Sequence, residues 1–129
     1  MNNERYQRGL NKFLEYNQDS AHVVNDNDKI PDPLDSIAPD FRSWIIEFAY
    51  GDIYSRPDLD NKQRSLVTIS SLVTQGIDKQ LETHINRGLT AGLTSREVIE
   101  SIIQLIPYVG FPRVQNALML AKKVFDQRL

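Results

Sequence analysis

The sequence predicts an all-α fold, a single-domain helical bundle of about six helices in 129 residues. Three observations carry that reading. Apolar residues recur three and four apart along most of the chain. No stretch alternates with period two for long enough to argue for a strand. Asp, Thr, Gly and Pro stand where helices start and stop. The length suits one ordinary domain, and size scaling has folding hide roughly 65–70% of the unfolded chain's surface. Hydrophobic residues at 40% and charged residues at 25% match globular averages, which argues against global disorder.

The first helix is expected from Glu4 to Tyr16, with Tyr6, Leu10, Phe13 and Leu14 on one apolar stripe. Asp19–Asp40 follows, rich in Asp and Asn and holding Pro31, Pro33 and Pro39; it reads as a long polar connection. The next helix is expected near Pro39–Phe41, burying Trp44, Ile45, Phe48 and Ala49. Gly51 and Pro57 are expected to break it around the aromatic stretch Tyr50–Tyr54. Asp60 is a good N-cap for a helix running to about Gln75, and Gly76 suits the position past its end. Asp78 is expected to cap a fourth helix that stops at Gly92. Thr94 with Glu97 forms a capping box ahead of Val98, Ile99, Ile102, Ile103 and Ile106. Pro107 and Gly110 punctuate that run, and Pro112 fits the first turn of the last helix. Val114, Ala117, Leu118, Ala121, Val124 and Phe125 then keep the helical period.

Composition excludes several functions. Fifteen Lys plus Arg against 17 Asp plus Glu give a net charge of −2, which argues against a broad grip on nucleic acid phosphates. With no cysteine there is no disulfide, thiol catalysis, iron–sulfur cluster or Cys-based zinc site. Two histidines cannot build a histidine-rich metal centre. MNNERYQRGL lacks an apolar leader core and no run reaches about 18 apolar residues, so a cytoplasmic protein away from membranes is expected. Charge is uneven: residues 1–59 hold 11 acids and 6 bases, residues 60–129 hold 6 acids and 9 bases.

Within the helix from Asp60 to Gln75, Leu66, Ile69 and Val73 form the core stripe. Val67, Thr68, Ser71 and Leu72 lie roughly opposite, with Arg64 among them. A helix apolar on two sides is usually sandwiched, inside a monomer or against another subunit. Arg64 is either an interface arginine holding a carboxylate of the protein or an anion clamp, since its planar guanidinium matches a carboxylate bidentately. His84, on the border of the Leu81–Ile85–Leu89 stripe, is either a structural histidine or a general acid or base. His22, in the polar connection, reads as structural or exposed. Tyr108 to Pro112 reads as turn chemistry whose aromatics can wall a pocket.

RSLVTISSLV (Arg64–Val73), QLETHINRGLTAGLTSREVIE (Gln80–Glu100) and YVGFP (Tyr108–Pro112), in that order, resemble the carboxymuconolactone decarboxylase family. FRSWIIEFAYGDIYSRPDLD (Phe41–Asp60) resembles the stretch preceding the core motif in its decarboxylase branch, and the likeness runs from about Phe41 to Phe125. The resemblance implies an alkylhydroperoxidase D-like bundle assembled as a homo-oligomer, a hexamer or a trimer. In the superfamily's alkylhydroperoxidases of the D type, a CxxC pair would fall on Ile77 and Gln80 and a glutamate on Ser65. Thiolate chemistry needs sulfur, so that activity is not expected. Within the decarboxylase branch, Val24 and Asn25 stand where an Asp-Arg pair is typical, and Asp52 replaces a glutamate.

The family's reaction takes carbon dioxide from an unsaturated lactone bearing two carboxylates. The electrons left behind delocalise onto the lactone carbonyl, so the substrate is its own electron sink and no cofactor is expected. What the protein must do is hold carboxylates, stabilise the enolate oxygen and deliver one proton to carbon. The resemblance thus makes His84 the expected proton donor and Arg64 the anion clamp. Trp44, Tyr50 and Tyr108 are candidate pocket walls, and Glu100 either orients a partner or is a surface acid. A related lactone or keto-acid lyase or isomerase, and a non-catalytic oligomeric binder of small acids, stay open as alternatives.

Overall fold

The computed structural model describes residues 3–18 and 32–129, and His22 and most of the polar connection lie outside them. The described residues are helical, with no strand among them. They form two units, Met1–Leu59 and Asp60–Leu129.

In the N-terminal unit, α1 (Glu4–Tyr16) is capped by Asn3, whose side chain accepts from the Tyr6 amide. After a 3₁₀ turn, Pro33–Ser36, α2 (Phe41–Trp44) runs without a break into a π-helix, Ile45–Tyr54. Gly51 therefore does not end the helix. It sits within it, because it is where α1 comes closest. A Cβ on Gly9 would collide with the Ile46 carbonyl oxygen, and one on Gly51 would lie 2.7 Å from the Arg5 carbonyl oxygen. Glycines at both positions let the two backbones touch.

That crossing also redirects the buried stripe. Ile46, Tyr50 and Gly51 face inward, whereas Trp44, Ile45 and Phe48, expected in the core, are exposed. The reason is the winding: bonds of the i→i+5 type advance each residue by a smaller angle than an α-helix does. Residues four and five apart, rather than three and four, then share a face. On α1 the buried line is Gly9, Phe13 and Tyr16. The Tyr50 ring sits 5.2 Å from Phe13 and 4.8 Å from Tyr54, both edge-on. An ion network fastens the same pair of helices. Arg5 Nη2 lies 2.7 Å from Asp52 Oδ2 and Nη1 lies 3.1 Å from Glu47 Oε2, while Arg8 Nε donates to the Gly51 carbonyl at 2.8 Å. Hydrogen bonding between them raises the Arg5 pKa and holds the Asp52 carboxyl below its usual range.

The C-terminal unit holds α3 (Asn61–Gln75), α4 (Asp78–Thr90), α5 (Ser95–Ile103), the single turn α6 (Ile106–Val109) and α7 (Phe111–Gln127). Asp60 and Gln63 close a full capping box on α3, and Gly76 ends that helix at φ +70°. Thr94 and Glu97 close the second box, on α5. Asp78 does not cap α4: the N-cap is Ile77 and Asp78 is the first helical residue. Only Gly76 and Ile77 separate α3 from α4, so the chain reverses before Asp78 and its carboxylate serves the first turn as a favourable charge. The core gathers Ile69, Val73, Ile85, Val98, Ile102 and Val124 from α3, α4, α5 and α7.

Replacing Gly9 by Ala should destabilise the protein by about 1–3 kcal/mol or more, because the added methyl meets backbone that cannot yield. Urea unfolding would show this as a lower midpoint than for Gln18→Ala, an exposed control. Equal midpoints would contradict the close crossing.

Candidate functional site

A two-residue connection makes α3 and α4 an antiparallel hairpin, and small residues set how close they lie. A Cβ on Gly88 would stand 3.3 Å from Ser65 Cβ and 3.5 Å from Ile69 Cδ1. Ser65 is buried at this crossing.

The register of the hairpin follows from that contact. Turning about 100° per residue from Ser65, Arg64 and Thr68 fall on one flank of α3, with Leu66, Ile69 and Val73 toward the other. From Gly88, His84 and Arg87 fall on one flank of α4, with Ile85 and Leu89 toward the other. Because the helices run antiparallel, Arg64, Thr68, His84 and Arg87 share one side of the hairpin. The opposite side faces the core. There Lys123 Nζ of α7 reaches Glu82 Oε2 at 3.2 Å, and Arg128 Nη1 reaches Asn86 Oδ1 at 3.2 Å. These contacts hold α4 on α7 and leave the His84 side clear of them.

The His84 imidazole is half-buried, and no hydrogen bond or ion pair reaches its ring among the described residues. Burial first, and then the positive Arg87 guanidinium one turn on, pull its pKa down to about 4. In the ligand-free site His84 is thus neutral at pH 7. A half-buried imidazole with a guanidinium one turn along its own helix is suited to handle one proton.

The remaining expected site residues are placed differently. Glu100 is exposed on α5, 3.8 Å from its i−4 neighbour Arg96. Tyr108 on α6 is 82% exposed. Trp44 and Tyr50 belong to the N-terminal unit, where Trp44 is 60% exposed beside Phe41 and Tyr50 is a core residue. Arg87 did not stand out in the sequence; its spacing of three from His84 is the signal that points to it.

The described residues build an all-helical fold in which Arg64, His84 and Arg87 lie on one side of the α3–α4 hairpin. The chain belongs to the carboxymuconolactone decarboxylase family, whose model matches residues 39–123 and so takes in the hairpin. It is 34% identical to a 4-carboxymuconolactone decarboxylase of Acinetobacter baylyi, over 97% of this chain and 90% of that protein. An uncharacterized 15.0 kDa protein of Paracoccus denitrificans is 29% identical, over 96% of both chains. A nitrosuccinic acid decarboxylase of Metarhizium robertsii is 32% identical over 64% of this chain and 57% of its own length.

A neutral, half-buried His84 makes stability depend on pH in a definite direction. The unfolded chain takes up a proton near pH 6.5 and the folded chain only near 4, so folding loses stability as pH falls through that window. The loss attributable to His84 should be roughly 1–3 kcal/mol. Urea titrations at pH 7 and pH 4.5 should show His84→Asn losing less stability on acidification than the unsubstituted protein. Equal losses would refute the assignment.

Proposed function

We propose that the protein is a cytoplasmic carboxy-lyase that removes carbon dioxide from a small carboxylated unsaturated lactone, as the name of the Acinetobacter relative describes for that protein. The observation that supports this most is the shared flank of Arg64 and His84, two residues inside the segment that matches the family.

The chemistry needs few groups. Arg64 holds a carboxylate of the substrate through paired N–H donors. The carbon–carboxylate bond breaks, carbon dioxide leaves uncharged, and the bonding pair passes through the ring double bond onto the lactone carbonyl. His84, having taken up one proton from solvent in the substrate-bound state, then delivers it to carbon, forming the C–H bond of the product and returning to neutral. The relative named for nitrosuccinic acid favours a wider substrate class: an acid whose leaving carboxylate sits next to an electron acceptor, whether unsaturated lactone or nitro group.

The protein should release carbon dioxide from 4-carboxymuconolactone, followed by loss of the lactone's absorbance and by trapped CO₂. His84→Ala should lower turnover by about 10²–10⁴-fold. Arg64→Lys should lower kcat/KM about tenfold or more, because a point charge does not replace the fork. Full activity in His84→Ala would overturn the roles, and tight binding without turnover would favour a non-catalytic acid-binding protein.

The same reading includes a homo-oligomer, a hexamer in preference to a trimer. Ile37, Phe41, Trp44 and Phe48 are exposed in the N-terminal unit, and Val67, Phe111 and Met119 in the C-terminal unit. Apolar residues left exposed in such numbers mark interaction surfaces, and an obligate interface buries more than about 2,000 Å². Light scattering at micromolar concentration should report about six chain masses. A stable monomer of 14.8 kDa would contradict it.

A further inference from the structure

The hydroxyls of α3 differ in what engages them. Ser70 Oγ donates to the Leu66 carbonyl and Thr74 Oγ1 to the Ser70 carbonyl, each at 2.8 Å. Ser71 Oγ accepts from Gln75 Nε2 at 2.9 Å. Ser65 is buried against Gly88 at the crossing. Thr68 is half-buried, and no hydrogen bond reaches its hydroxyl among the described residues. A helical threonine has two side-chain wells open to it, and one of them makes the backbone bond that Ser70 and Thr74 make. Thr68 makes no such bond, so its O–H is uncommitted.

The crossing sets Thr68 level with His84. Thr68 is three residues past Ser65, about 4.5 Å along α3, and His84 is four residues before Gly88, about 6 Å along α4. The helices run antiparallel, so both displacements point the same way. The two residues therefore stand within about 1.5 Å of each other in height, on the flank they share. Gln80 is on that flank too, but it is one further turn along α4 and exposed. The uncommitted neutral donor beside the imidazole is thus the Thr68 hydroxyl.

We infer that Thr68 is the donor that holds the lactone's enolate oxygen during decarboxylation, a role that rests on the carboxy-lyase reading and that no residue fills there. When the carbon–carboxylate bond breaks, the bonding pair moves through the ring double bond and negative charge collects on the lactone carbonyl oxygen. The Thr68 O–H donates to that oxygen and keeps its own proton throughout. The pair then returns to carbon, the proton from His84 forms the C–H bond, and the carbonyl is restored. A hydrogen bond to an anionic oxygen is stronger than one to a neutral carbonyl. Thr68 therefore lowers the barrier more than it tightens substrate binding.

Turnover is followed with 4-carboxymuconolactone. Binding is followed with tetronic acid bearing a carboxymethyl arm, whose ring anion spreads its charge onto the lactone carbonyl. Its partner is the saturated lactone with the same arm, whose carbonyl is neutral. Thr68→Val keeps the shape and removes the O–H; it should lower kcat about 10²-fold or more and change KM less than about threefold. Thr68→Ala should behave alike, which separates a lost donor from a crowded flank. Thr68→Ser keeps a hydroxyl and should bring kcat back to within about tenfold of the unsubstituted protein. In calorimetry Thr68→Val should cut the preference for the tetronate over the saturated lactone about tenfold, with the saturated lactone's own affinity within about threefold. Thr74→Val, which removes a hydroxyl already bonded to backbone, should leave turnover and preference unchanged. Urea midpoints check that each variant is folded.

Full kcat in Thr68→Val and Thr68→Ala, or an unchanged tetronate preference, overturns the inference even where the unsubstituted protein releases carbon dioxide. A loss that Thr68→Ser does not restore overturns it as well, because the loss then follows shape rather than the O–H. If the tetronate preference depends on the Thr68 hydroxyl and no carbon dioxide is released from the lactone, the Thr68 contact stands and the lyase reading fails.

Discussion

The close approach of Ser65 and Gly88 fixes the geometry on which the candidate site depends. Two helices that meet through small residues come near enough for their flanking side chains to share one surface. A Cβ at Gly88 would stand 2.9 Å from Leu93 Cδ1 and 3.3 Å from Ser65 Cβ, so a larger residue there would have to push these neighbours aside. That contact sets the register, and the register decides that Arg64 and Thr68 share a side with His84 and Arg87. The opposite side supplies rigidity. Ile69, Val73 and Ile85 are buried in the core, and the Lys123–Glu82 and Arg128–Asn86 contacts tie α4 to α7.

The electrostatics follow from this placement. A half-buried imidazole loses hydration, which disfavours its charged form, and a neighbouring guanidinium adds to that cost. In isolation the arrangement is unfavourable for a proton donor. A substrate carboxylate beside the imidazole would offset both costs. Burial and like charge together thus keep the histidine neutral in the empty site, in keeping with the rule that catalytic pKa values are set by surroundings.

Local signals in the sequence foretold much of the fold. Asp60 with Gln63, Thr94 with Glu97, Gly76 and Pro112 each serve a backbone need within a few residues, so their positions could be read directly. The N-terminal unit was less legible because its decisive contact is tertiary. Gly51 looks like a helix breaker until Gly9 is seen against the same helix, and the π-winding that shifts the buried face from Trp44 and Phe48 to Ile46 and Tyr50 has no local signature. Asp78 was misplaced by one residue because a carboxylate suits both the cap and the first turn. At the candidate site, His84 and Arg64 were legible from residue type and motif. Arg87 lies within the Gln80–Glu100 stretch but was not singled out there, and its interest appears only once the crossing shows which side of α4 it shares.

In the proposed lyase, the side of the α3–α4 hairpin that carries Arg64 and His84 receives the substrate. A crystal structure with a non-reacting saturated analogue of 4-carboxymuconolactone bound tests this most directly. The expected result is a carboxylate within hydrogen-bonding distance of Arg64 and the ring carbon facing a nitrogen of His84. Ligand density on the α7-facing side of α4, or along α1 in the N-terminal unit, with the Arg64–His84 flank empty, would contradict it.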